Sequence, residues 1–310
     1  MVRTGLTSVL QQTYRNLEII IQDDSSNDEC QKVIESMADP RIVYIRNTPS
    51  LGTLRNLRAG YLRCTGTYIC TLNDDDVYAP TYIEQMVTAL ENNPSCCLAF
   101  SDHFIINERG DTDLGATDIN SRNFGRDKLS AGVYTSTLKM ALLNKSIPGM
   151  FAVYRRSIMD FSDFPDEVDA GYDFWLTYLA VRSGLPICYN PERLTYYRVH
   201  ADSQTSSFAD PQRRIRSLTY DLYIHQRFYG DSRLQEIHPA ISEHIAKVHI
   251  LTGTTRLRMR QRRAAFKEFR LALDVKISPA PLVGIFLAML PASLAVYALN
   301  LQSKSPKQLA

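Results

Sequence analysis

Short apolar runs alternate with amphipathic stretches along the first two-thirds of this chain. Leu17–Gln22 (LEIIIQ) is a continuous apolar run of the kind that fills a strand buried on both faces, and Asp23-Asp24-Ser25-Ser26 closes it. Residues 28–38 space Val33, Ile34 and Met37 as a helix does. Arg41–Arg46 (RIVYIR) reads as a second strand, and Gly52–Cys64 as a helix with Leu54, Leu57 and Tyr61 on one side. Thr67–Leu72 (TYICTL) is a third strand, with a helix over Pro80–Asn92 behind it. Strand–helix repetition of this kind predicts an α/β fold, a mainly parallel twisted sheet with helices on both faces.

The pattern then changes. CCLAFSDHFIIN from Cys96 reads as a strand, ended by a turn at Glu108-Arg109-Gly110-Asp111, and the polar stretch to about residue 133 has no period and is expected to be loop. Met150–Arg155 is a strand, Tyr172–Ser183 an amphipathic helix stopped by Gly184 and Pro186, and Leu194–Val199 a last strand. Everything beyond Pro211 reads as helical. The expected division is a catalytic α/β domain over residues 1–207 and a helical C-terminal region over 208–310.

Composition narrows the class. Of 310 residues, 45% are apolar and 22% charged, enough to bury a core, and a net charge of +2 argues against nucleic acid as a partner. Six cysteines without a C-x-x-C pair, and no leader pattern at Met1, predict free thiols in a reducing cytosol. The charge is unevenly placed: Arg256, Arg258, Arg260, Arg262, Arg263, Lys267 and Arg270 crowd one segment, and nothing between Lys276 and Lys304 is charged. Leu282–Leu299 is close to the length of a membrane span, about 20 residues, but Pro291 divides it. Two short apolar helices follow, lying on an anionic membrane surface or packed as an ordinary hairpin with a solvated basic face.

Candidate chemistry sits at strand ends, where open parallel sheets bind ligands. Asp23-Asp24 follows the first strand and Asp74-Asp75-Asp76 the third. Adjacent carboxylates there repel unless a cation lies between them, and oxygen ligands of this kind suit Mg²⁺ or Mn²⁺ held partly through substrate phosphates. The same acids also suit strand-end turns that complement the next helix. Two clusters at equivalent positions favour the cation.

Ser8-Val9-Leu10-Gln11-Gln12-Thr13-Tyr14, Asn16-Leu17-Glu18-Ile19-Ile20 and Asp23-Asp24-Ser25 together resemble the opening of the family 2 glycosyltransferases. Arg55-Asn56, Gly66-Thr67-Tyr68-Ile69 and Leu72-Asn73-Asp74-Asp75-Asp76 are similar to that family's second block, and Tyr197-Arg198-Val199-His200 with Ser203 to Ser206 to its closing block. The resemblance covers roughly residues 4–207. It implies the nucleotide-diphosphosugar transferase fold, a nucleotide-diphosphosugar donor, a saccharide or lipid-linked acceptor and inversion at the anomeric carbon. By position it implies that Asp24 bonds the donor base, Arg55 lies near the nucleotide and Asp74 faces the ribose. Asp75 becomes the metal ligand with Asp76 as alternate, His200 a second ligand or diphosphate contact, and Arg198 a phosphate partner. The work would be done in the cytoplasm, at the inner face of the cell membrane, in building a surface polysaccharide or glycolipid.

Two departures from the family's pattern matter. The acidic pair that usually supplies the general base would fall at Ala170-Gly171, which leaves Asp169 or Asp173, four apart and on one face if the helix begins early. The family's first strand would precede a helix at Thr4–Gln12, whereas this chain begins inside that helix, so the sheet is expected to lack that strand. Both departures also fit a non-catalytic nucleotide-sugar-binding protein. A nucleotidyltransferase would want a glycine-rich, lysine-bearing phosphate loop, and none is present.

Overall fold

The computed structural model describes residues 1–200 and 210–303. The chain divides into two compact units, Met1–Ser206 and Ser207–Ala310. The first is the predicted α/β layer structure. Helix α1 (Val2–Leu10) leads to β1 (Ile19–Asp23), α2 (Glu29–Met37), β2 (Ile42–Arg46), α3 (Thr53–Arg63), β3 (Tyr68–Ile69), β4 (Val77–Tyr78) and α4 (Tyr82–Asn92). Then come β5 (Leu98–Ile106), α5 (Leu114–Asn123), β6 (Gly132–Tyr134), β7 (Ala152–Arg155), α6 (Tyr172–Val181) and β8 (Ile187–Arg198).

Strands β1 and β2 form a parallel pair of their own, and the other six form a mixed sheet ordered β3-β7-β5-β8-β4, with β6 against β8. Within that sheet β5 and β8 run parallel while the other pairs are antiparallel. No described strand joins β1 to β3. Glu18 links their entries instead, its carboxylate accepting from the Thr65 and Gly66 N–H groups at 2.6 and 2.8 Å.

Among the elements that differ from the sequence expectation, two do so for identifiable reasons. The stretch expected to be loop carries α5, started by Asp113, whose side chain accepts from the Ala116 N–H at 2.8 Å. Its polar sequence hides the period, but the cap is an ordinary helix signal. Strand β8 begins at Ile187, not near Leu194, because Pro191 and Glu192 lie where the register with β5 jumps from Asn190 to Arg193. A bulge removes the need for a ladder N–H, so proline is tolerated mid-strand.

The core packs Tyr82, Met86 and Leu90 of α4 against Ala99 of β5 and Val153 of β7. Helix α1 is fastened to this block by two buried polar side chains. Gln12, fully buried, donates to the Ser8 and Ala79 carbonyls and accepts from the Ile83 N–H, and Ser8 Oγ accepts from the Tyr78 N–H. Tyr78 and Ala79 among these partners follow closely on the acidic loop 73–76.

The second unit is helical: α7 (Pro211–Tyr229), α8 (His238–Arg258), α9 (Arg262–Val275), α10 (Pro279–Met289) and α11 (Ala292–Ser303). Phe269 of α9 is its wedge. A Cβ added at Gly253 of α8 or Gly284 of α10 would come within 2.8 and 2.4 Å of that ring, so both helices approach as closely as glycine permits. Arg262 donates to the Ala288 and Met289 carbonyls at 2.9 and 2.6 Å, capping α10. Among the described residues no helix is long and apolar enough to cross a membrane.

Candidate functional site

The acidic run falls in a turn between β3 and β4, and its three carboxylates occupy three environments. Asp74 is exposed, Asp75 half-buried and Asp76 buried. Asp76 Oδ1 accepts from the Arg198 N–H at 2.9 Å and Oδ2 from Asn73 at 3.3 Å. Burial nonetheless pushes its carboxyl up to about 7, with the Asp75 charge adding to the effect. Asp74 is shifted upward too, first by loss of water around the carboxyl and then by Asp75. The loop therefore holds more negative charge than its surroundings balance.

His200 and Arg198, expected near this loop, both reach it. His200 Nε2 lies 3.1 Å from Asp75 Oδ2. Arg198 is buried and uses its guanidinium on main-chain oxygens: Nε donates to the Asp75 carbonyl at 2.7 Å, Nη1 to those of Asn107 and Glu108 at 2.9 and 3.1 Å. It ties the acidic loop to the turn after β5. From the other side α1 presses so close that a Cβ on Gly5 would meet the Asp76 carbonyl at 3.1 Å. Residues Ser203 to Ser206 lie outside the described residues.

At the end of β1 the two aspartates are hydrogen-bonded differently. Asp23 is buried, accepting from the Ser25 N–H and the Tyr44 hydroxyl at 2.8 and 2.7 Å; burial would raise its pKa, but these bonds hold it below the ordinary value. Asp24 organises the loop after β2. Its Oδ1 accepts from Asn47 and the Leu51 N–H, and Oδ2 from Ser50 and the Gly52 N–H. Four bonds fill the acceptor capacity of a carboxylate. They outweigh its desolvation and keep its pKa low. Gly52, at φ 79°, supplies the backbone that lets two consecutive N–H groups converge there. Arg55, on the exposed first turn of α3, pairs with Asp166 through Nε and Nη2.

The base candidates lie on either side of a break. The segment Asp166–Gly171 is a 3-10 turn in which Asp169 takes φ 47°, ψ −127°, a strained conformation for any residue but glycine. Helix α6 begins only at Tyr172, so the four-residue spacing does not put Asp169 and Asp173 on one helical face. The Asp173 carboxyl is raised by burial, an effect opposed by the Phe174 N–H, which donates to Oδ1 at 2.7 Å, and by the charge of Lys145. Its carbonyl is met by Gly149, where an added Cβ would stand 1.9 Å from the oxygen. The Tyr172 phenol is raised first by burial, then by Asp173, Asp76 and Asp75. One ring thus lies within electrostatic reach of a base candidate and of the acidic loop.

Sequence reasoning passed over Gly5, Ser8, Tyr172 and Gly149. Ser8 lay inside a quoted motif without a role, and Gly149 follows a proline ahead of a strand, the only signal it offered. A cavity of ≈ 500 Å³ lined in part by Asp102, Arg126, Tyr189 and Arg193 shares no residue with this set.

Residues 1–160 match the profile of Glycosyl transferase family 2. An uncharacterized glycosyltransferase of Haemophilus influenzae is 32% identical over 207 residues, 66% of this chain and 62% of that protein. The Escherichia coli UDP-Glc:alpha-D-GlcNAc-diphosphoundecaprenol beta-1,3-glucosyltransferase WfaP is 28% identical over 204 residues, 64% of this chain and 72% of that protein. Among solved structures, the mannosyltransferase PcManGT from Pyrobaculum calidifontis in complex with GDP-Man and Mn²⁺ superposes with a TM-score of 0.56 at 15% identity, covering 98% of this chain and 84% of that one. S. aureus TarS 1–349 with UDP gives 0.55 at 13% identity, covering 99% and 89%. At such identities these two speak for the fold alone, a GT-A type α/β layer with a helical C-terminal region.

Proposed function

The chain belongs to glycosyl transferase family 2, and from that premise we propose that it moves one sugar from a nucleotide-diphosphosugar donor to an acceptor hydroxyl, with inversion, in building a surface polysaccharide or glycolipid. The observation that carries the reading is the under-balanced acidic loop, with His200 3.1 Å from Asp75 and Asp76 raised to about 7. A carboxylate and an imidazole so disposed fit Mn²⁺ or Mg²⁺, with Asp76 as alternate ligand. When bound, the ion supplies positive charge opposite the departing diphosphate. Mn²⁺ accompanies GDP-Man in the Pyrobaculum mannosyltransferase.

The other residues have definable parts. Asp173 takes the acceptor's proton, burial having moved its carboxyl toward the working pH; Asp169 is the alternate. Asp24 shapes the loop 47–52 on the base side through its four bonds, and exposed Asp74 faces the ribose. Arg55 exchanges Asp166 for the nucleotide, a cheap exchange because exposed ion pairs hold weakly. Arg198 fixes the acidic loop by tying the Asp75 carbonyl to the turn after β5.

A lipid-linked acceptor and work at the cytoplasmic face of a membrane suit the second unit. Leu282, Val283, Phe286 and Met289 of α10, with Leu294 and Tyr297 of α11, are 46–64% exposed, and Arg258, Arg260, Arg263, Lys267 and Arg270 are exposed as well. That pairing of apolar and basic surface suits anionic lipid.

Donor turnover with UDP- and GDP-sugars, with Mn²⁺ or with a chelator, tests the reading. Turnover should require the ion and vanish in Asp75→Asn with the fold retained. Turnover that survives Asp75→Asn removes the acidic loop from the chemistry. Donor binding without any turnover supports the non-catalytic alternative.

A further inference from the structure

The cavity beside Asp102, ≈ 500 Å³ in volume, is of a size that takes a small molecule. Its lining comes from β5, β8, α5 and the 3-10 turn Arg126–Lys128. Asp118, Ser121 and Arg122, spaced three and four apart, share one face of α5. On the sheet side the β5–β8 register shifts on both sides of Asp102, which pairs with Arg193 while Ser101 pairs with Asn190 and His103 with Thr195. Bulges of this kind re-aim side chains and gather beside functional sites. Here Arg193 Nε comes to 3.8 Å from Asp102 Oδ2.

Part of this lining is already spent on itself. Asp102, 5% exposed, accepts from Arg126 Nε at 2.7 Å, from Ser121 Oγ at 2.6 Å and from the His103 N–H at 2.9 Å. Arg193 donates through Nη2 to Asp118 Oδ1 at 2.6 Å and lies 5.5 Å from the centroid of the Phe104 ring. Other polar groups are unspent. Tyr189 is 4% exposed, yet its hydroxyl has no hydrogen-bond partner among the described residues, and so deep a hydroxyl wants one. Burial, and then the Asp102 charge, push the phenol up to about 12, so it keeps its proton and can donate. The Arg122 guanidinium and the Asp127 carboxylate, both exposed, have no hydrogen-bond or ion-pair partner among the described residues either.

Charge and shape together define what fits. Arginines 122, 126 and 193 face aspartates 102, 118 and 127, so the lining carries no net formal charge. A phosphate or diphosphate wants a surplus of guanidinium, and a hard cation a surplus of carboxylate. Neither surplus exists. The lining suits a neutral molecule dense in groups that both donate and accept, with an apolar face for Phe104, Leu129 and Pro191. A sugar ring has this make-up, since each hydroxyl donates once and accepts twice. We propose that this cavity is a saccharide-binding subsite, separate from the acidic loop, in which Tyr189 and Arg122 bond sugar hydroxyls. Arg193 precedes Arg198, the anchor of the acidic loop, by five residues of β8, about 16 Å along a strand. One sugar ring cannot touch both places, whereas a glycan of several rings could. Binding in the cavity does not depend on the acidic loop or on sugar transfer.

Saturation-transfer NMR on the full chain with maltose, cellobiose and N,N′-diacetylchitobiose, followed by calorimetry of those that bind, tests it. At least one should bind wild type. Tyr189→Phe keeps the buried ring and should weaken that binding about five- to tenfold, the worth of one hydrogen bond. Arg122→Ala, at an exposed position, should do likewise, with circular dichroism unchanged in both variants. Asp75→Asn should bind the sugar as wild type does, and neither UDP with Mn²⁺ nor inorganic pyrophosphate should displace it. Absence of binding by all three sugars, or equal affinity in wild type and both cavity variants, overturns the subsite. Displacement by UDP with Mn²⁺, or loss in Asp75→Asn, would assign the sugar to the acidic loop, and displacement by pyrophosphate would make the cavity an anion site; each overturns it too. Cavity binding in a chain that turns over no donor would uphold the subsite while refuting transfer.

Discussion

Asp76→Asn is expected to stabilise the metal-free protein at pH 8 and to add little at pH 5. Asp76 is 1% exposed, and burial lifts its carboxyl from the ordinary 3.8 to about 7. Between those values the folded chain keeps a proton that the unfolded chain has released. Stability therefore falls as pH rises through that window, and the deficit is complete above about pH 7. At about 1.36 kcal/mol per pH unit it reaches about 4 kcal/mol. Asparagine removes the charge at nearly constant volume and can still accept from the Arg198 N–H. It sacrifices the 3.3 Å bond from Asn73, about 1 kcal/mol. The net gain should be about 3 kcal/mol at pH 8 and less than about 1 kcal/mol at pH 5.

Urea unfolding of both proteins with a chelator present, at the two pH values, reads this directly. His103 slopes the other way: burial pulls its pKa down to about 3, so stability is lost as pH falls below about 6.5. That contribution is common to both proteins and cancels in the difference. Saturating Mn²⁺ should erase the mutant's advantage by neutralising the same charge in wild type. A gain of equal size at both pH values, or a loss at pH 8, would refute the reasoning. Stability given up for a charged loop is the usual signature of a functional site.

Asp173→Asn should lower transfer about 10²–10⁴-fold with donor affinity unchanged, as expected of a positioned base, measured by steady-state kinetics and calorimetry. Asp169→Gly should relieve the strain at φ 47° and raise unfolding stability by up to about 1 kcal/mol with transfer retained; a dead but stable Asp169→Gly enzyme moves the base there. Gly149→Ala should cost about 1–3 kcal/mol or more, because its Cβ would lie 1.9 Å from the Asp173 carbonyl, and transfer should fall with it. Phe286→Glu with Met289→Glu should reduce co-sedimentation with anionic vesicles at low salt, and high salt should do the same to wild type; equal sedimentation of all forms leaves α10 as packing surface only.

Strands β1, β2 and β5 and helices α2, α3, α4 and α6 were legible because each carries its own periodicity, and the acidic runs were legible because they close apolar runs. Helix α5 and the first half of β8 were not: a cap started the one against a polar sequence, and a bulge carried the other past Pro191. The site was legible as a set of acids at strand ends. Their individual environments were not: Asp24 saturated by a loop, Arg198 spent on carbonyls, Asp76 driven to about 7.

By itself, then, the amino-acid order determined the α/β layering, the helical C-terminal region and the residues that bear carboxylates and imidazoles. Those are local properties, set by a period of two or 3.6 residues and by the chemistry of single side chains. Only the tertiary structure decided which acid is buried, which is hydrogen-bonded to saturation, and that Tyr172 lies within electrostatic reach of both Asp173 and the acidic loop. Likewise it alone brought Tyr189 and Arg193 of β8 to Asp102 and Arg122 around one cavity. The reason is that desolvation and charge coupling depend on distances between residues far apart in the chain, and no pattern along the chain encodes those distances.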